Sequence, residues 1–205
     1  MIGIINYGHG NIGSIENALS KINFTHKVIT NPEKLSSYTH LILPGVGSFS
    51  KCMDVIQNRG WENYLKASVS QGVRLLGICL GMQLLFDTGE EDGESKGLGF
   101  INGNVKKMIP GKDEALPHVG WNNIISKKKN HDLFKNVSIN ADYYFDHSYE
   151  CIPLNTDVIL SETNYGNNKK FVSIVGYKNI YGIQFHPEKS PPNGIFLLKN
   201  FINLS

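Results

Sequence analysis

The sequence predicts an α/β fold: an open sheet with a parallel core, helices on both faces and an antiparallel extension. Short apolar runs alternate with helical periods through the first half, as parallel strands joined by crossover helices require. In the second half the pattern changes to strand-like stretches separated by Gly and Asn turns. Residues 2–6 read as a strand, and 12–22 as a helix with Ile12, Ile15, Leu19 and Ile22 at helical spacing. Strands follow at 26–30 and 40–43, and residues 53–71 cover one or two helices. Val73 to Ile78 is a short apolar run, expected of a buried strand, and 80–86 reads as the start of a helix. Later strands are expected at 102–107, 121–126, 143–149, 157–162 and 171–177, with a turn at Tyr165-Gly166-Asn167-Asn168 and a closing helix at 194–202. No repeat or low-complexity linker interrupts the chain, so one domain over 1–205 is expected.

Composition narrows the classes of function. The chain has 205 residues and 40% hydrophobic content, enough for one sizeable core. A formal net charge of +2 argues against a nucleic-acid surface. Lys127-Lys128-Lys129 is the one basic run and suits a solvated loop. No apolar stretch reaches spanning length, and Met1-Ile2-Gly3-Ile4-Ile5 leads into a strand without a basic leader, so a cytoplasmic chain is expected, without membrane contact. Cys52, Cys79 and Cys151 are an odd, widely spaced set that implies neither a disulfide framework nor a zinc site. No cofactor and no metal is expected.

Gly77-Ile78-Cys79-Leu80-Gly81 carries the chemistry. A cysteine between a buried strand and a helix start has the geometry of a nucleophile elbow, with G-x-C-x-G in place of G-x-S-x-G. The helix dipole there favours thiolate, and the N–H of Leu80 is placed to bind a developing oxyanion. A lone cysteine in such a place more often serves as a small buried apolar residue. Downstream, Tyr181-Gly182-Ile183-Gln184-Phe185-His186-Pro187-Glu188 puts His186 at a strand end, because Pro187 cannot extend a central strand. Glu188 is close enough in sequence to orient the imidazole. Cys79, His186 and Glu188 thus supply nucleophile, base and orienter.

Gly8-His9-Gly10-Asn11-Ile12-Gly13 is a literal dinucleotide-binding G-x-G-x-x-G after a strand. That reading needs an acidic residue at the end of the next strand, where this chain has Thr30-Asn31. The ribose partner is missing.

The pairing of G-I-C-L-G-M-Q with Q-F-H-P-E resembles the class I, triad-type glutamine amidotransferases. Asn6-Tyr7-Gly8-His9-Gly10-Asn11, Leu43-Pro44-Gly45-Val46-Gly47, Pro117-His118-Val119-Gly120-Trp121-Asn122, His147-Ser148-Tyr149 and Pro187-Glu188-Lys189-Ser190 narrow the likeness to the glutaminase subunits of imidazole glycerol phosphate synthases. The resemblance runs from the N-terminus almost to the last helix. It implies a flavodoxin-like core and hydrolysis of glutamine to glutamate and ammonia by Cys79, His186 and Glu188. It makes 43–48 an oxyanion strand, whose N–H from Val46 or Gly47 joins that of Leu80. Glycine lets such a peptide flip at little cost, so a partner could gate the reaction there. The resemblance assigns Gly47, Gln83, Glu91, His147, Ser148 and Tyr149 to glutamine binding. Gln83 lies one helical turn beyond Cys79, whereas Glu90-Glu91-Asp92 also suits a solvated acidic turn.

The family passes its ammonia through a tunnel to a (β/α)8-barrel cyclase subunit in a heterodimer. The products are imidazole glycerol phosphate and an aminoimidazole carboxamide ribotide of histidine biosynthesis. Asn11, Pro117, His118, Trp121 and Lys189 fall at the interface this implies; a core position is the plainer reading of Trp121. The chain departs from the family pattern at Asn6, His9, Val119 and Asp146. These departures leave open a paralogous subunit that feeds another synthase, such as one aminating a surface sugar. A non-catalytic regulatory subunit would have lost part of the triad, and all three residues are present.

Overall fold

In the computed structural model, residues 1–111, 114–138, 140–166 and 169–204 are described. The elements of the first half are β1 (Ile2–Ile5), α1 (Ile12–Lys21), β2 (His26–Ile29), β3 (His40–Leu43), α2 (Phe49–Asn58), α3 (Trp61–Ser70), β4 (Arg74–Ile78) and α4 (Leu80–Gln83). Next come β5 (Phe86–Gly89), β6 (Ser95–Lys96), β7 (Ile101–Lys107), β8 (His118–Asn123), β9 (Ile125–Ser126), β10 (Asp142–His147) and β11 (Tyr149–Pro153). The chain closes with β12 (Ile159–Tyr165), β13 (Lys169–Tyr177), β14 (Ile180–Ile183) and α5 (Asn193–Asn203).

Among the described residues the main sheet has eight strands in the order β2-β1-β3-β4-β14-β13-β12-β9. The pairs from β2 through β4 to β14 are parallel, and those from β14 to β9 are antiparallel, which is the expected core and extension. β1 and β3 are buried along their whole length, which is why they read as continuous apolar runs. Helices cover both faces. Ile15 and Leu19 of α1 and Leu197, Leu198 and Phe201 of α5 pack with Ile4, Ile42 and Leu76 on one face. Met53 and Ile56 of α2 and Trp61 and Leu65 of α3 pack with Ile5, Leu41 and Leu75 on the other.

The structure refines several expectations. Residues 53–71 resolve into the later part of α2 and the whole of α3. The helix expected over 80–86 stops after four residues. Its next carbonyls are taken by an incoming strand instead of by the following turn: Leu98 N–H donates to Leu84 O at 2.9 Å, and Phe100 N–H to Leu85 O at 2.8 Å. Phe86 then pairs with Ile101 in a small second sheet. The single strand expected at 143–149 is two strands that change partner at Ser148, since β10 pairs with β8 and β11 with β7. The stretch 121–126 likewise divides between β8 and β9. Asn167 and Asn168 of the expected turn lie outside the described residues.

The loop after β1 is unlike a dinucleotide-binding turn. A Cβ on Gly13 would meet nothing within 4 Å, so the third glycine makes no close helix–strand contact. The Gly8 N–H donates to Asn6 Oδ1 at 3.2 Å within the loop itself.

Among the described glycines, the elbow makes the closest approach to backbone. A Cβ on Gly81 would fall 1.9 Å from the Leu43 carbonyl oxygen, and one on Gly77 would fall 2.4 Å from the carbonyl oxygen of Gly81. Both obstacles are backbone, which cannot rotate aside. Gly81→Ala is therefore expected to cost at least about 2–3 kcal/mol, read as a fall in Tm of roughly 5–10 °C or as loss of soluble protein. An unchanged melting curve would refute the contact.

Candidate active site

Cys79 sits between β4 and α4 with φ 54° and ψ −115°, a strained geometry for a residue with a Cβ. Its N–H donates to Ile183 O at 2.8 Å, the last rung between the elbow and β14. Cys79 as a residue is 8% exposed. Gln184 Nε2 approaches Sγ at 3.9 Å, and Sγ faces the Asp146 carbonyl at the same distance. The brevity of α4 corrects the electrostatic expectation. A single turn sums few peptide dipoles, so most of the positive charge available to a thiolate must come from elsewhere.

It comes from His186. β14 ends at Ile183, three residues earlier than expected, because β4 has already turned away at the elbow. The segment stays anchored on its other side: Gln184 N–H donates to Ser173 O and His186 N–H to Tyr144 O, both at 2.9 Å. His186 then precedes a one-turn helix, Pro187–Lys189, which brings Glu188 back beneath the ring. Nδ1–H of His186 donates to Glu188 Oε1 at 2.8 Å, and the glutamate side chain is 1% exposed. Burial by itself would push the imidazole pKa down. The Cys79 sulfur and the Glu188 carboxylate override burial and raise it to about 10. The imidazole beside the sulfur is thus held protonated.

Backbone donors flank the sulfur. Among the described residues, no acceptor within the chain takes the N–H of Leu80, Val46 or Gly47. Gly47 has φ +108°, where a side chain would be strained. These residues, with Cys79 and His186, open on a cavity of about 310 Å³ at the carboxyl ends of the central strands, where open α/β sheets place their ligands.

The other candidate residues divide by position. Gln83, Glu91, His147, Ser148 and Tyr149 line this cavity, as do Asn11, Pro117 and Lys189. Gln83 is 4% exposed, and its Nε2 donates to Tyr149 O and Gln184 Oε1, both at 3.1 Å. His147 donates from Nδ1 to the same Tyr149 carbonyl at 2.9 Å, and burial pushes its pKa down to about 3, so it is neutral. The Ser148 carbonyl accepts from Met108 N–H at 2.9 Å. Glu91 is more than a solvated acid: its Oε2 accepts from Phe49 N–H at 2.8 Å, at the first residue of α2. Its pKa is raised, with burial the main cause.

His118 and Trp121 lie outside the cavity lining. The β8–β10 register explains both. His118 pairs with His147 and turns inward among Phe145, Tyr165 and Phe171, its Nδ1 3.3 Å from His147 Nε2. Trp121 pairs with Tyr144 on the outer face and is 58% exposed, so it is not a core tryptophan. Lys189 Nζ lies 5.0 Å above the Tyr144 ring on that side. Asp146 pairs with Val119 on the same outer face and is exposed there, while its backbone carbonyl faces the Cys79 sulfur.

Sequence reasoning did not assign Gln184 or Ser190. Gln184 stands two residues before His186, a spacing that puts both side chains on one side of an extended segment, and that signal was present in the motif. Ser190 Oγ donates to His186 O at 2.7 Å and accepts from Tyr144 N–H at 2.9 Å, a bridge no spacing rule exposes. Among the described residues, no cluster of three or more His, Cys, Asp or Glu side chains could hold a metal, and no helix is long and apolar enough to cross a membrane.

An open α/β sheet with a cysteine on its central elbow and a His–Glu pair just beyond the adjoining strand is the arrangement that nucleophilic thiol enzymes use. The sequence model of the family described as "Glutamine amidotransferase class-I" matches residues 3–204, and the chain belongs to that family. A relative from Desulfitobacterium hafniense, "Imidazole glycerol phosphate synthase subunit HisH", is 42% identical over 98% of this chain and 93% of its own length. Another from Methanococcus maripaludis, "Imidazole glycerol phosphate synthase subunit HisH 2", is 46% identical over 98% of each. Among solved structures, one described as "Crystal structure of glutamine amidotransferase" superimposes with a TM-score of 0.74 at 18% identity, covering 98% of both chains. "Structure of PurLQS from Thermotoga maritima" gives 0.75 at 17% identity, over 98% of this chain and 97% of that one.

The His186 proton tests the electrostatics of the site. Held by its contacts with Cys79 and Glu188, it should stay on the ring until the pH rises to about 10. Glu188→Gln removes the carboxylate charge, so the proton should leave at a pH at least about one unit lower. Ring ¹⁵N chemical shifts against pH measure this, and coincident titrations would refute it.

Proposed function

We propose that this chain, as one glutamine amidotransferase domain over 1–205, is the glutaminase subunit of a cytoplasmic imidazole glycerol phosphate synthase. The observation that carries the reading is the shared cavity: a polarised Cys–His pair, unengaged N–H donors and a polar wall of glutamine-sized reach meet in one space. The full-length relatives named as synthase subunits support the assignment to that complex.

The geometry supports the following reaction. Cys79 thiolate attacks the side-chain amide carbon of glutamine, and the oxyanion forms against the N–H of Leu80 and of Val46 or Gly47. His186 gives its proton to the departing nitrogen, ammonia leaves, and a glutamyl thioester remains. A water molecule, losing its proton to His186, hydrolyses the thioester to glutamate and restores the thiolate. Glu188 holds the ring through both steps. Gly47, Gln83, Glu91, His147, Ser148 and Tyr149 form the glutamine site: Gln83 and His147 fix the Tyr149 carbonyl, and Glu91 offers a carboxylate to the α-ammonium group.

Ammonia passes to a (β/α)8-barrel cyclase subunit, which makes imidazole glycerol phosphate and the carboxamide ribotide of histidine biosynthesis. The partner seats on the cavity mouth and the outer face of the β8–β10 ribbon, where Asn11, Pro117, Lys189 and Trp121 are placed. An exposed tryptophan edged by Tyr144 at 5.9 Å suits an interface anchor. His118 contributes from beneath, by ordering the ribbon.

Two measurements test the reading. Glutaminase activity should rise strongly when the chain meets its organism's barrel subunit and the ribulosyl intermediate, with imidazole glycerol phosphate as product. A folded chain whose Cys79 takes a glutamine-analogue label but shows no activation would belong with a different synthase. Cys79→Ala should abolish glutamine hydrolysis while partner binding and ammonia-driven synthesis persist; residual glutaminase would remove Cys79 as nucleophile.

A further inference from the structure

Cys52 takes no part in the chemistry above, yet it touches the turn on which that chemistry depends. It lies on the first turn of α2 and is fully buried, at 0% exposure. Its Sγ–H donates to the Val46 carbonyl at 3.7 Å, a long but sulfur-appropriate contact. Burial is the main cause that pushes the thiol pKa up, so the sulfur keeps the proton it donates. Tyr7, also 0% exposed, lies beside the thiol in the same core cluster, and its buried hydroxyl has no partner in hydrogen-bond geometry.

The consequence follows from peptide planarity. In a trans peptide the C=O and N–H point in opposite directions. With the Val46 carbonyl drawn into the core toward α2, the Gly47 N–H is turned away from the core, and Gly47 lines the cavity. Reversing this peptide would break the contact with Cys52. We infer that Cys52 is a positioning residue for the oxyanion turn: its thiol holds the Val46 carbonyl and so keeps the Gly47 N–H presented to the substrate. The inference rests on the glutaminase reading of that turn.

A second contact extends the hold toward the substrate. Glu91, which lines the cavity, accepts from Phe49 N–H at 2.8 Å, and Cys52 N–H donates to Ser48 O at 3.1 Å. The helix turn carrying Cys52 is therefore tied to a side chain facing the glutamine site. Filling that site bears on the same turn that sets the oxyanion donor.

The test compares glutaminase kinetics of the full chain, alone and with its synthase partner, for the wild type, Cys52→Ala, Cys52→Val and Cys52→Ser. Loss of the donor in Ala and Val should lower kcat about three- to tenfold with KM within about twofold, since only the donor-competent population changes. Ser retains a donor and should keep kcat within about twofold of wild type. Alkylation of Cys79 by iodoacetamide, read by mass spectrometry on its peptide, develops no oxyanion and should keep its wild-type rate in every variant. Val fills much of the volume that Ala leaves empty, so it carries the test if Ala does not fold. Wild-type kcat in Ala or Val, or a loss in Ser as large as theirs, overturns the inference. A wild-type chain that hydrolyses no glutamine even with its partner overturns the underlying glutaminase reading instead.

Discussion

The backbone of the elbow lies directly against the end of β3, and the site depends on that contact. A Cβ on Gly81 would lie 1.9 Å from Leu43 O, and one on Gly45 would lie 2.7 Å from Gly81 N. No side chain separates the two turns. The elbow and the proposed oxyanion strand are therefore one packing unit, and the turns that carry the N–H groups of Leu80 and of Val46 or Gly47 touch. The same closeness lets a small rotation at one peptide change the chemistry without moving Cys79 or His186. Interfaces this tightly packed favour discrete arrangements over gradual deformation.

Around that contact the protein assigns protons by neighbourhood. His147 and His186 both face the cavity and are both deeply buried. Burial drives His147 down to about 3, helped by the positive potential of neighbouring histidines, whereas the contacts with Cys79 and Glu188 raise His186 to about 10. Identical side chains thus end as a neutral imidazole and a protonated one. The β8–β10 ribbon makes a similar division by period alone. Its inner positions, His118 and His147, order the cavity wall, while the outer ones, Trp121 and Tyr144, face away from it.

Much of this was legible in the chain. The apolar runs at β1, β3 and β4 and the helical spacing in α1 gave the parallel core, because strands buried on both faces must be apolar throughout. The elbow cysteine and the His-Pro-Glu segment were visible because a strand end, a turn glycine and a proline each have local steric causes. The lapses also have a cause. The early end of α4 and the change of strand partner at Ser148 are decided by distant segments, residues 98–101 and β7, that claim the local hydrogen bonds.

By itself, then, the sequence determined the fold class, the order of elements and the identities of the three candidate catalytic side chains, since these follow from periodicity and local backbone sterics. The tertiary structure decided what those side chains can do. The charge on His186, the neutrality of His147, the cap that Glu91 places on α2 and the hold of Cys52 on Val46 all arise between residues far apart in the chain. Field, burial and hydrogen-bond partner are properties of neighbours in space, and chain folding alone brings them together.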